Sequence, residues 1–428
     1  VLLAAAVFAL LISNSAWGPA YESWWHTPVA IRIGALGFEE DLRFLINDGL
    51  MTVFFFVVGL EIRRELSHGE LRQLRRATLP FAAALGGMLV PAALFFTLNS
   101  GRAGEHGWGV PMATDIAFAV GVFALLGTRV PRSLKVLLLA LAIIDDIGAI
   151  VVIALFYSGS FHLNGLLLVG LGVVGVLVLK GLGARSPWTY VAPAAVIWAG
   201  LHAAGVHPTL AGVAVALMTP TRAWFGREGF LARASQSLAH MEEQDDFQAP
   251  ELWSHLDALN QARREAVAPT DRLLRRLHGP VAFGIMPLFA LANAGVRFDF
   301  GHFSPDALRV FSGAFFGLLI GKPLGVVAFC FLAVRSKVAA LPRGANFVDV
   351  LLVGLLAGIG FTMALFIGQL AFSEHLLLEA AKLGVLCGSA TAALVSFLFG
   401  LWLLTRRAKR SSLVAAPARD AAQSSTPT

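Results

Sequence analysis

The sequence is poor in charge. Asp, Glu, Lys and Arg make up 14% of its 428 residues, against 57% that are hydrophobic, and mean hydropathy is +0.72. So few ionisable groups cannot cover a water-facing surface, which excludes an ordinary soluble domain and puts the chain in a bilayer. Cysteine is nearly absent too. Cys330 and Cys387 are the only two, and both fall inside apolar runs, so neither a disulfide framework nor a cysteine-ligated metal is expected. No resident cofactor is expected either.

What the chain has in abundance is apolar runs of roughly 17 to 25 residues, the length that crosses a hydrocarbon core of about 30 Å as a helix. Twelve are read, near residues 1–14, 45–62, 78–98, 108–126, 134–157, 163–180, 187–204, 206–221, 279–296, 308–334, 348–371 and 383–405. The expected fold is an all-α polytopic membrane protein. The first run is short and opens without Met, so the natural chain is expected to begin upstream. Of the 33 Lys and Arg residues, 26 fall in one alternating set of connections and six in the other. By the positive-inside rule the rich set is cytoplasmic, and with twelve spans both termini are inside. The net charge of +6 then describes loops facing anionic lipid, and no nucleic-acid partner is needed to explain it.

Residues 1–405 read as one transmembrane domain. Within it, the inside loop 222–278 carries the acidic run "MEEQDD" and a helix-like stretch between Pro250 and Pro269; the Ala-, Ser- and Thr-rich tail 406–428 is expected to be disordered. The outside stretch "VAIRIGALGFEED" alternates apolar and polar residues about a glycine-containing turn, which predicts a short β-hairpin at 28–41. Its exposed edge makes it a candidate contact in a homodimer.

The cation in neither set is Lys322, in "FFGLLIGKPLGVVAFCFLA". With Asp115, Asp145 and Asp146 it is centrally placed in a span, where insertion costs about 2.5 to 3.5 kcal/mol each. Asp48 and the group Glu61, Arg64 and Glu65 sit towards span ends. Asp145 and Asp146 are adjacent on a helix, so their side chains diverge by about 100° and serve different partners. Three acids against one cation leave negative charge over, which argues against purely structural pairing and for the holding of a proton or small cation. Two spans look interrupted. Pro111, Thr114 and Asp115 fall early in "GWGVPMATDIAFAVGVFALLG", and Gly358 and Gly360 fall near the middle of "LLVGLLAGIGFTMALFIG". Interrupted helices of opposite direction point to a midplane ion site in an inverted-repeat transporter. Asp145, Asp146 and Thr114 supply the oxygen ligands that Na+ takes, and Asp115 and Lys322 are candidates to neutralise the broken ends.

The motifs "INDGLMTVFFFVVGLEIRREL", "ATDIAFAVGVFALLG", "ALAIIDDIGAI", "GVHPTLAGV", "PLFALANAGV", "LLIGKPLG" and "GIGFTMALFI" stand in an order that resembles the NhaA-type bacterial sodium/proton antiporters over nearly the whole chain. The resemblance implies twelve helices in inverted-topology repeats, with spans four and eleven unwound and crossing at mid-membrane. It implies that Asp145 and Asp146 are the ion-site carboxylates, Asp146 being the principal carrier, with Thr114 beside them and Asp115 and Lys322 balancing charge. A Lys322–Asp145 pair is a further implication. Glu61, Arg64, Glu65, His207 and His278 match positions tied in that family to pH response, and Gly360 lies in the span-eleven break. The hairpin matches the family's dimer contact, and the location implied is the bacterial inner membrane. The activity implied is electrogenic, pH-regulated exchange of cytoplasmic Na+ or Li+ for external H+. Departures cluster before span nine, where the loop is longer and Leu274 stands in place of a glutamate common in the family. His207 and His278 also admit an ordinary reading as hydrogen-bonded residues at helix ends.

Two other classes are weighed. A sodium-coupled solute symporter calls for a larger polar cavity with groups for an organic substrate. An intramembrane aspartyl protease calls for one Asp from each of two helices, whereas this pair is tandem and no Gly-x-Gly-Asp signature occurs.

Overall fold

The computed structural model describes residues 1–33, 36–127, 131–159, 162–184, 186–243, 249–297, 303–342 and 344–423. It is mostly helical, with one small sheet among the described residues. Seven helices there are long and apolar enough to cross a membrane, and up to ten spans result when each of three bent helix pairs is taken as one. The seven are Leu42–His68, Ala77–Asn99, Arg132–Phe156, Leu163–Gly181, Pro269–Ala294, Pro305–Arg335 and His375–Arg407.

That tally is below the twelve read from hydropathy. The runs at 187–204 and 206–221 form helices Val191–Ala203 and Leu210–Met218, of 13 and 9 residues, too short to span unaided. Gly205, at φ +76°, ends the first of them in the left-handed region where a side chain is disfavoured. The first run also differs. Helix Leu2–Ser13 is followed by a second helix, Gly18–Trp25, bent from it by 119°, where a loop is expected. The expected ninth span starts at Pro269 rather than 279, since a proline in the first turn suits a helix start. The long loop ahead of it holds helices Gly226–Glu243 and Ala249–Glu265. Residues 244–246 of the acidic run lie outside the described residues. The final helix, His375–Gln423, continues past residue 406, where composition suggests an irregular tail.

Contacts divide the chain into two units. One comprises Val1–Leu2, His26–Arg72 and Ser158–Phe289. It contains the hairpin, strands β1 (Pro28–Ile33) and β2 (Leu36–Asp41), paired antiparallel with Val29 opposite Glu40. Asp41 ends β2 and caps the next helix, its carboxylate accepting from Phe44 N at 2.7 Å. Behind it Met51–His68 packs against Leu210–Met218, and Leu60, Val57, Ala216, Leu274, Val281 and Met286 form a buried cluster.

The other unit comprises Leu3–Trp25, Gln73–Tyr157 and Ala290–Thr428. In it Leu74–Asn99 crosses Lys322–Arg335 at backbone contact, because a Cβ on Gly86 would stand 2.2 Å from Gly325 O and one on Gly325 2.0 Å from Gly86 O. Such small-residue crossings are how helices approach closely in lipid. The second and third bent pairs also belong to this unit: the 3-10 helix Glu105–Met112 with Ile116–Leu125, bent by 41°, and Phe347–Ala357 with Phe361–Ala371, bent by 52°.

Candidate ion site

Each bend is a short non-helical segment, and the two segments touch. Residues 113–115 break the first pair and 359–360 the second. Asp115 N donates to Ile359 O at 2.7 Å. A Cβ on Gly360 would stand 2.9 Å from Ala113 O, so only glycine permits this approach. Pro111 lies in the 3-10 helix, packed where a Cβ on Gly317 would meet its ring at 2.6 Å.

Breaking a helix leaves partial positive charge at each new N-terminus and partial negative charge at each new C-terminus. Both kinds are met by side chains. Asp115 is the N-cap of Ile116–Leu125, its Oδ1 accepting from Phe118 N at 3.0 Å. Its Oδ2 accepts from Thr362 N at 3.2 Å and from Thr362 Oγ1 at 2.5 Å, so one carboxylate serves two helix N-termini. At the opposite ends, Lys322 Nζ donates to Met112 O, the last carbonyl of the 3-10 helix. Thr114 Oγ1 lies 3.0 Å from Ala357 O, which ends Phe347–Ala357.

Lys322 and Thr114 link these breaks to the acid pair. Lys322 Nζ is 2.9 Å from Asp145 Oδ2, and Thr114 Oγ1 is 2.7 Å from the same oxygen. A hydroxyl carries one proton, so Thr114 donates to Asp145 or to Ala357 O at any moment. Asp145 Oδ1 is buried and has no hydrogen-bond partner among the described residues. Asp146, the next residue on Arg132–Phe156, is 3% exposed, and its charge also acts on Lys322. Lys322 is placed by a wide π-type turn, Gly317–Gly321, directly before it. Pro323 follows and brings no N–H to the helix, and π-turns of this kind are frequent where a functional side chain must be aimed. The lysine stem runs past Gly87, 3.7 Å from where a Cβ there would stand.

The structure thus brings together Thr114, Asp115, Asp145, Lys322 and the glycines of the second break, with Asp146 buried beside them. Glu61, Arg64, Glu65, His207 and His278 belong to the other unit. There Glu61, Arg64 and Glu65 lie on Met51–His68 and His278 on Pro269–Pro280, two helices packed together. Glu65 is half-buried one turn along from Glu61, and His207 sits in the turn before Leu210–Met218, its carbonyl accepting from Leu210 N at 3.2 Å. Gly360 stands at the second break, where the sequence placed it. Leu274 points into the apolar cluster beside Leu60.

Reading the sequence missed several polar groups. Thr362 holds Asp115, and Ser389 Oγ accepts from Phe361 N at 3.0 Å. Asp349, fully buried, takes a two-point contact from Arg407. The only signal for Thr362 is its place two residues after Gly360; Ser389 has none, because hydroxyls in apolar helices usually bond their own backbone.

Charge kept this deep among apolar helices belongs to proteins that move ions through membranes, and that is the class of this chain. Residues 1–399 match the family described as Na+/H+ antiporter 1. The chain is 54% identical over 414 residues to the Na(+)/H(+) antiporter NhaA 2 of Myxococcus xanthus (strain DK1622), covering 96% of this chain and 87% of that protein. It is 55% identical over 429 residues to the Na(+)/H(+) antiporter NhaA 2 of Sorangium cellulosum (strain So ce56), covering 100% and 91%. The solved structure of the sodium proton antiporter MjNhaP1 from Methanocaldococcus jannaschii at pH 8 is 12% identical with a TM-score of 0.46, covering 94% of this chain and 97% of that one. The chain belongs to the Na+/H+ antiporter 1 family. It is a transporter rather than an enzyme, a multi-pass membrane protein that exchanges Na+ for H+, and its family needs no cofactor beyond the ions it carries.

Proposed function

We propose that this protein carries Na+ or Li+ out of the cytoplasm in exchange for external H+, and that both ions compete for Asp145 and Asp146. The observation that supports this best is the state of Asp145: one oxygen held by Lys322 and Thr114, the other buried and without a donor. A buried carboxylate oxygen left so needs a proton or a cation. Asp146 supplies the second carboxylate and is the principal carrier in this reading. Thr114 adds a hydroxyl oxygen, and backbone carbonyls at the two breaks complete an oxygen donor set suited to Na+.

Exchange follows from mutual exclusion. Facing outward, the carboxylates take up protons; facing the cytoplasm, they bind Na+ only as those protons leave. A site that holds one or the other, turned between the two faces by rigid-body rocking, exchanges ions without leaking them. Lys322 takes part because Na+ arriving at Asp145 displaces its ammonium partner, which can then release a proton. Carrying more than one proton per Na+ makes the cycle electrogenic.

The finer architecture belongs to the same reading. Two further crossings complete twelve spans in inverted repeats, the broken spans cross at mid-membrane, and both termini are cytoplasmic in a bacterial inner membrane. Cation-rich connections support that orientation. Glu61, Arg64, Glu65, His207 and His278 tune the response to pH, histidine being suited by an ordinary pKa near 6.5. The hairpin 28–41 pairs with its copy in a homodimer.

The test is Na+-driven proton movement in everted membrane vesicles. Asp146→Asn is expected to abolish it, and Asp257→Asn, an exposed change on Ala249–Glu265, to leave it intact. Normal exchange by the Asp146 variant would contradict the site assignment.

A further inference from the structure

The final helix, His375–Gln423, contributes none of the ion-site residues named above, yet it fastens both halves of the second broken pair. At one half, Ser389 Oγ accepts from Phe361 N, the first amide of Phe361–Ala371, at 3.0 Å. At the other, Arg407 Nη2 lies 2.5 and 2.6 Å from the two carboxylate oxygens of Asp349. Asp349 is fully buried in the first turn of Phe347–Ala357, where it closes a capping box with Asn346. Ser389 and Arg407 are separated by close to a whole number of helical turns, about five, so they share one face of the final helix. On that face Ala392 is buried beside the break, 3.5 Å from where a Cβ on Gly358 would stand.

These fastenings bracket the groups that face the ion site. Ala357 O ends the half that Asp349 begins, and it meets Thr114. Thr362 follows the amide that Ser389 holds, and it meets Asp115. Asp349 is buried and the Arg407 side chain 30% exposed, and an ion pair so placed adds little net stability, so stability alone gives weak reason for it. Position gives a better one. We propose that Ser389, Asp349 and Arg407 are positioning residues for the ion site: the final helix is a splint that fixes the two halves of the broken pair, and with them the Ala357 carbonyl and Thr362. The proposal rests on the ion-site reading above.

A loosened half weakens the holding of the cation more than it slows the turning of the protein, so the variants should separate KM from kcat. The full-length chain, reconstituted in proteoliposomes at matched protein amounts, is assayed for Na+-driven proton movement. Ser389→Ala is expected to raise the apparent KM for Na+ about fivefold, the loss of one hydrogen bond, with kcat within about twofold of the parent. Ser389→Thr, which keeps the hydroxyl, should restore the parent KM. Arg407→Gln should raise KM similarly, and Asp349→Asn combined with Arg407→Gln should be no worse than Arg407→Gln alone, because the pair acts as one unit. Should Arg407→Gln not reconstitute, the double variant takes its place, since it leaves no buried carboxylate unpaired, and the same raised KM is expected. Parent KM values in both the Ser389 and the Arg407 variants would overturn the proposal, as would lost activity that tracks only the amount of folded protein. Asp146→Asn runs alongside. If it transports normally the ion-site reading fails first; if it is inactive while the splint variants keep the parent KM, the splint alone fails.

Discussion

Asp145 and Asp146 are neighbours in sequence and unlike in surroundings. One is tied to Lys322 and Thr114, while the other turns away by about 100° on the same helix. Replacing Lys322 with Ala leaves Asp145 buried with its charge uncompensated, and breaking such a pair costs about 3 kcal/mol or more. Lys322→Ala is therefore expected to lower the midpoint of thermal unfolding in detergent and to change the pH profile of exchange, with smaller effect on the choice between Na+ and Li+. An unchanged midpoint together with an unchanged profile would remove the role given to Lys322. These residues were legible in the sequence because a charge inside an apolar run stands out without any comparison. Thr362 and Ser389 did not stand out, since a hydroxyl in such a run is ordinary. Asp349 and Arg407 were passed over for the opposite reason: both lie near expected span ends, where charges are common.

At the scale of elements, the two touching breaks are what sets this unit apart from a simple bundle. Their contact depends on Gly360, where a Cβ would stand 2.9 Å from Ala113 O and 2.8 Å from a Leu318 methyl. Gly360→Ala is expected to push the segments apart and to cut Na+/H+ exchange at least about tenfold, the effect of some 1.4 kcal/mol at the site. Gly121→Ala, where an added Cβ meets nothing within 4 Å, is the matched control and should exchange normally. Equal activity in the two would show that the close approach is dispensable. Both breaks were visible as Pro111, Gly358 and Gly360 interrupting apolar runs. At 187–221 the division at Gly205 was legible, but the helices are shorter than the apolar runs, because Pro187–Tyr190 forms a 3-10 turn ahead of Val191–Ala203 and the second helix covers only Leu210–Met218. The start at Pro269 was missed since its first turns carry Arg272, Arg275 and Arg276 and read as loop.

At the scale of the whole molecule, the hairpin 28–41 is the candidate dimer contact. Its deletion is expected to shift the protein in detergent from dimer to monomer by light scattering, while exchange in vesicles persists; a dimer that survives the deletion would place the contact elsewhere. The central claim is that Na+ and H+ exclude each other at one pair of carboxylates. Calorimetric titration of the purified protein with Na+, repeated in buffers of different ionisation enthalpy and across pH, measures that exclusion directly. Binding should release protons and weaken steadily as pH falls. A binding constant independent of pH, with no proton released, would contradict the account.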